Sequence, residues 1–202
     1  MPCDMSQASD IQAWVDKTVA EWGQIDAVVV NAGGPPAVKT FTDVTDEMWE
    51  TAFNLTLMST IRLVRSAIPH MKDGGAILTV TSGSIQEPIV PLMLSTVMRS
   101  GVSGLVKTLA FDLAPQGIRV NNLIPGRIHT DRVDSLDQTA ADRQGISFDE
   151  ARERAVATIP MKRLGNIDEF GAAAAFLLSP AASYITGASL RVDGGNMRSI
   201  TA

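Results

Sequence analysis

Apolar positions alternate along this chain between two rhythms. Ile11, Trp14, Val15, Val19 and Trp22 recur three or four residues apart, the spacing of one helix face, and Gly23 stops that helix. A continuous apolar run over Asp26–Val30 follows and predicts a buried strand. Thr45, with Asp46 and Glu47 behind it, has the form of an N-cap with acids in the first turn. It opens a long helix through Phe53, Leu57, Ile61, Val64 and Ile68, ended by Gly74-Gly75. The alternation then repeats: a strand over Ala76–Val80, a long helix over Leu92–Ala114 closed by Pro115 and Gly117, and a strand over Arg119–Ile124. Pro125 to Gly145 is polar and without period, and reads as an irregular, mobile surface segment within a mobile region of about 125–158. Helices resume over Phe148–Ala157 and Ile167–Leu178, and a short strand over Ser189–Val192 precedes Asp193-Gly194-Gly195.

Strands written as apolar runs, alternating with helices long enough to cross over, imply a parallel sheet covered on both faces. The fold class is α/β, a doubly wound parallel sheet, in one domain over 1–202. Ligands of such sheets bind beyond the carboxyl ends of the strands, which directs attention to Asn31, Ser82 and Pro125.

Composition narrows the functions open to such a domain. With 202 residues, 45% hydrophobic and 19% charged, the chain can bury one sizeable core. A net charge of −5 without a Lys/Arg run argues against nucleic acid or an anionic membrane as partner. Cys3 is the lone cysteine, so no intrachain disulfide or thiolate cluster can form, and a reducing compartment fits. The start, Met1 to Ser6, has neither the basic segment nor the apolar stretch of a signal peptide, and the longest apolar run, Ala172–Leu178, is too short to span a bilayer. A cytoplasmic location is expected. His70 and His129 stand too far apart to suggest metal ligation, so no metal site is expected.

Three stations follow the strands. Asn31-Ala32-Gly33-Gly34 is either an ordinary turn or a place where small residues let the backbone approach a ligand. Thr81-Ser82-Gly83-Ser84 offers hydroxyls that either donate to a developing oxyanion or cap a turn. Pro125-Gly126-Arg127-Ile128-His129-Thr130 follows the third strand.

These motifs, in this order, resemble the short-chain dehydrogenase/reductase superfamily, in particular 3-oxoacyl-acyl-carrier-protein reductase-like members, over nearly the whole chain. The resemblance implies a Rossmann-type fold, NAD or NADP as cofactor, and hydride transfer between it and a carbonyl or secondary alcohol. It implies that Asn31, Ala32 and Gly33 support the adenine side of the cofactor, that Pro125, Gly126, Ile128 and Thr130 lie beside the nicotinamide, and that Asp4 contacts adenine. Asn54 and Ser82 match the helix Asn and the Ser of the catalytic tetrad, and Asp193-Gly194-Gly195 matches the C-terminal signature. The helices Met48–Met71 and Leu92–Ala114 correspond to those that pair across subunits, which implies a homodimer or homotetramer.

Two departures qualify the resemblance. In the family a Tyr follows the Ser by thirteen residues, with Lys four further on; counting from Ser82 gives Ser95 and Arg99. The lone tyrosine, Tyr184, is far down the chain, and Gly101–Ala110 fixes the register independently. Ser is a much weaker acid than a phenol, and Arg offers a charged fork of donors but relays no proton. Spaced four apart, Ser95 and Arg99 share a helix face and could reach one ligand; the other reading makes Arg99 a surface or interface cation. The second departure is upstream: the first 30 residues hold one glycine, Gly23, and no glycine-rich phosphate turn. By resemblance three strands and two helices are missing, which would leave Val28, Val29 and Val30 on an open apolar edge. Two functions are therefore carried forward, an oxidoreductase and a non-catalytic, shortened binding or oligomerisation module.

Overall fold

The computed structural model describes residues 1–200. Four strands form one parallel sheet in the order β1 (Ala27–Val30), β2 (Gly75–Val80), β3 (Ile118–Pro125), β4 (Ser189–Val192). The sequence-predicted strands fall on these elements to within one residue at most ends. Helix α1 (Ala8–Trp22) precedes β1 and ends at Gly23, whose φ of +83° needs a residue without Cβ.

Between β1 and β2 runs the long helix expected from Thr45, whose hydroxyl accepts the Met48 amide. It is continuous but not uniform: α2 (Asp46–Ala52) passes through a π-helical segment, Phe53–Met58, into α3 (Ser59–Ala67). Helix α4 (Met93–Leu113) connects β2 to β3 and closes through Pro115 and Gly117 as expected. Between β3 and β4 lie α5 (Asp131–Gln144), α6 (Phe148–Ala157) and α7 (Ile167–Leu178).

Helix α5 corrects the irregular segment predicted over Pro125–Gly145. Its buried positions are Val133, Asp137 and Ala141, four apart, so only one in three carries a large apolar side chain. A stripe whose central member is a carboxylate leaves almost no hydrophobic period to detect. The helix-start signal was nevertheless present, Asp131 and Asp134 standing in the first turn as Asp46 and Glu47 do in α2.

Alternate strand residues feed two cores. Val28, Val30, Ile77, Ile118 and Val120 pack with Ile11 and Val15 of α1, Val64 and Ala67 of α3, and Val106 and Ala110 of α4. On the opposite face Leu78 and Leu123 meet Leu177 of α7. One face is thus covered by three helices and the other by one. The consequence falls on β1, at the edge of the sheet. The strand of Val28, Val29 and Val30 is an edge strand as expected, but Val28 and Val30 are buried, whereas Val29, level with Leu78 but beyond the reach of α7, is 47% exposed.

Candidate active site

The carboxyl ends of β1, β2 and β3 open into a cleft of about 640 Å³. Each predicted station contributes to it: Asn31 and Gly33 after β1, Ser82 after β2, and Pro125, Gly126, Ile128 and Thr130 after β3. Ser95 and Arg99 reach it from the first and second turns of α4. A groove of about 690 Å³ on the other side of α4, lined by Ser100, Ser103 and Lys107 among others, lies away from the strand ends and contains none of the predicted residues.

Arg99 organises the floor. Its Nε donates to Ser95 Oγ at 3.2 Å and its Nη1 to the Val80 carbonyl at 2.6 Å, tying α4 to the end of β2. Burial pushes the guanidinium pKa down from its ordinary value, yet an arginine stays charged at neutral pH. The reading of Arg99 as a solvated surface cation is thereby corrected. Nη2 lies under the Asn-Ala-Gly turn: a Cβ on Gly33 would stand 3.2 Å from it and 2.9 Å from Thr56 Oγ1. With φ of +112° as well, Gly33 is required twice over, by conformation and by close approach. Ala32, between Asn31 and Gly33, completes that turn without lining the cleft.

Around this floor the groups are hydroxyls. Ser82 Oγ accepts the Ser84 amide at 3.2 Å, which leaves its own proton for another acceptor. Ser95 Oγ likewise accepts from Arg99 and keeps its proton. Thr81, unremarked in the sequence reading beyond its place beside Ser82, is 4% exposed with a hydroxyl that has no partner. A buried polar group left unpaired is costly and points to a ligand or water as its partner.

Beyond β3 the chain turns at Gly126, whose amide donates to the Val192 carbonyl at 2.9 Å. A Cβ there would fall 2.4 Å from Asp193 Cα, so the Pro-Gly and Asp-Gly-Gly motifs meet and require a glycine. The Asp193 carboxylate accepts the Gly195 and Met197 amides and folds the tail back. Ile128 pairs with Gly165 in an isolated parallel bridge, and Thr130 starts α5.

Besides Ala32, two predicted residues stand outside the cleft. Asn54 lies in the π-helical segment and donates its amide to the Glu50 carbonyl at 3.0 Å; the Ser59 amide reaches back five residues to the Asn54 carbonyl. Asp4 is exposed before α1, where it accepts the Ser6 amide and hydroxyl, which hold its pKa below the usual carboxylate range. Conversely the cleft includes side chains that the sequence reading passed over: Arg132, Val133 and Leu136 of α5, and Ile167 and Phe170 of α7. The first three were hidden by reading α5 as irregular.

A parallel sheet with a glycine turn, donor hydroxyls and a half-buried cation gathered at its carboxyl end is the arrangement of an α/β domain that binds its ligand beyond the strand ends. Comparison with known proteins makes the class specific. The family profile described as enoyl-(acyl carrier protein) reductase matches residues 1–196. The chain is similar to the NADPH-dependent reductase BacG of Bacillus subtilis (strain 168), 33% identical over 98% of this chain and 76% of that protein. It is also similar to the 7alpha-hydroxysteroid dehydrogenase of Escherichia coli (strain K12), 32% identical over 98% of this chain and 74% of that one. Among solved structures, YwfH, an NADPH dependent reductase involved in bacilysin biosynthesis, superposes with a TM-score of 0.92 at 32% identity, over 99% of this chain and 78% of that one. The L-sorbose reductase of Gluconobacter frateurii, complexed with NADPH and L-sorbose, gives 0.91 at 27% identity, over 98% and 76%. The chain belongs to the short-chain dehydrogenase/reductase superfamily, and by that membership it is an NAD(P)-dependent oxidoreductase.

Proposed function

We propose that this chain reduces a carbonyl group, or oxidises the corresponding secondary alcohol, in the cleft beyond β1, β2 and β3. The observation that carries the reading is the convergence there of Ser82, Ser95 and Arg99, two hydroxyls with protons to donate and one half-buried cation. Family membership favours this over a non-catalytic module.

The residues present suit the nicotinamide half of NAD or NADP. Gly33 and Gly126 hold the backbone where a Cβ would collide with its surroundings, and the orphaned Thr81 hydroxyl lacks a partner. Asn31, Ala32 and Gly33 would flank the nucleotide on one side and Pro125, Gly126, Ile128 and Thr130 on the other, with Asp4 toward adenine. The bound dinucleotide supplies or accepts hydride. Ser82 donates a hydrogen bond to the substrate oxygen, and Ser95 donates a second. Arg99 holds a positive charge behind Ser95 Oγ, which favours negative charge developing on the substrate oxygen. Neither serine is acidic enough to match a phenol, so the proton that completes an alcohol comes through Ser95 from water. Asn54 acts at one remove, its side-chain amide adding a hydrogen bond to the Glu50 carbonyl where the helix enters its π-helical segment. The substrate is a small molecule.

The proposal extends to a homodimer or homotetramer through the helices Met48–Met71 and Leu92–Ala114. Along α4, Val97, Gly101, Gly104, Thr108 and Phe111 form an exposed stripe at helical spacing, where Gly104, with nothing within 4 Å of where a Cβ would stand, permits close approach of another helix. Phe53 stands exposed on the neighbouring π-helical segment.

Oxidation of NADH and NADPH in the presence of a panel of carbonyl compounds tests the activity. Ser82→Ala is expected to lower kcat by about 10²–10³, the effect of removing one oxyanion donor, with little change in KM. Turnover unaffected by this change would exclude the cleft as the active site.

A further inference from the structure

The cleft has a polar side and an apolar side. Helices α4 and α7 cover opposite faces of the sheet, so they approach the strand ends from two directions. From α4 come Ser95 and Arg99, which join Ser82 of the turn after β2. From α7 come Ile167 and Phe170, and α5 adds Val133 and Leu136. Each of these two pairs is spaced three residues apart, so its members share one face of their helix. The remaining contribution of α5 and α7 to the lining is Arg132, which is exposed and keeps its charge in water.

Val133 is 8% exposed, but Leu136 is 42% and Ile167 59% exposed although both line a concave site. One exposed aliphatic side chain is ordinary on a protein surface. Two of them, from different helices, in the concavity that also holds the donor hydroxyls, mark a surface that a ligand covers. A sugar or polyol would strand hydroxyl groups against this wall, each at the cost of lost hydration without a returning hydrogen bond. A hydrocarbon chain or ring loses nothing there and removes Leu136 and Ile167 from water.

We propose that the substrate is a ketone, or its secondary alcohol, whose body is an apolar hydrocarbon chain or ring seated against Val133, Leu136, Ile167 and Phe170. The inference rests on the oxidoreductase reading, which sets the reacting oxygen at Ser82 and Ser95 and leaves the α5 and α7 wall to receive the rest of the molecule. The nicotinamide ring is the competing occupant of that wall, and the test separates the two.

Calorimetric titration with 2-butanone, 2-hexanone, 2-octanone, dihydroxyacetone and NADPH reads the wall directly. Affinity is expected to rise about three- to fourfold per methylene, hence about tenfold at each step of the ketone series, the gain from moving a methylene out of water. Dihydroxyacetone is expected to bind no more tightly than 2-butanone. Leu136→Asn and Ile167→Asn, on different helices, are each expected to weaken 2-octanone at least about fivefold and to leave NADPH unchanged. Equal affinities along the series, tighter binding of dihydroxyacetone, or failure of every ketone to bind overturns the proposal. A chain-length slope untouched in both variants also overturns it, placing the ketones elsewhere on the protein, and a loss confined to NADPH overturns it by giving the wall to the nicotinamide. Leu136 and Ile167 are both exposed, so each variant is expected to keep the parent's thermal transition; if one does not, the other variant and the parent's own series decide. Because these are binding measurements, an absence of turnover counts against the oxidoreductase reading and leaves the chain-length result standing.

Discussion

Two donors of Arg99 are already engaged within the protein, and their geometry explains why a lysine cannot take the position unchanged. One ammonium on a flexible stem can meet the Val80 carbonyl or Ser95 Oγ, whereas the planar fork meets both. Arg99→Lys is expected to lower stability by about 1.5–3 kcal/mol, the range for a hydrogen bond to a charged group, as read by urea unfolding. Gly126→Ala sets a Cβ against backbone at 2.4 Å, where no rotamer offers relief, and a loss of about 1–3 kcal/mol is expected in the same assay. At this scale the sequence was informative wherever a residue type answers a backbone need: the glycines and hydroxyls after the strands were found because parallel sheets place ligands there. Arg132 escaped because its place in the cleft depends on α5 being helical, which a polar stretch does not show. Asn54 and Asp4 were legible only through family likeness, and neither touches the cleft.

Helix α5 owes its place to charge more than to apolar burial. The Asp137 side chain is 2% exposed and is gripped by Arg127 and Arg152, while Arg152 also pairs with Asp134 and lies 4.7 Å from the Phe148 ring of α6. These contacts fasten α5 to α6 and to the segment after β3. Asp137→Ala leaves two arginines facing a vacated site and is expected to cost about 3 kcal/mol, the lower end for a broken buried pair because both arginines are partly exposed. Faster amide exchange confined to α5 and α6 would verify it; uniform loss of protection across the sheet would show that the network braces the whole fold. Helix α7 shows the opposite legibility. Asn166 and Glu169 form a capping box at its start, and its bounds were read correctly from the sequence. Arg163 and the Asn166 amide hold the Glu169 pKa at about 2, below the usual 4.5. A depressed carboxylate contributes stability that is present above its unfolded value and is lost as pH falls through its folded one. Stability should therefore decline from about pH 4.5 toward 2, and Glu169→Gln should flatten that part of a thermal-unfolding series against pH.

For the molecule as a whole, the uneven cover of the sheet is the governing fact. That the sheet is parallel and covered on both faces followed from apolar runs alternating with helices, since a strand buried on both faces has no other way to be written. What the pattern could not show is that α7 stops short of β1, leaving Val29 in solvent while its neighbours in the strand are buried. On the opposite layer, the stripe through Val97 and Phe111 predicts assembly. Phe111, 76% exposed, should anchor it, and Phe111→Asp is expected to reduce the mass measured by light scattering without lowering the melting temperature.

The tail beyond β4 has a practical bearing on all these measurements. Glu87 accepts the amides of Arg198 and Ser199, Arg191 donates to the Ser199 carbonyl, and the Met197 methyl rests against Gly83, next to Ser82. The segment Met197–Ser199 is thus a strap across the turn that presents a candidate catalytic hydroxyl. An affinity tag or immobilisation linker fused after that strap would pull directly on the turn, so a handle placed elsewhere is the sounder choice for any assay of this protein.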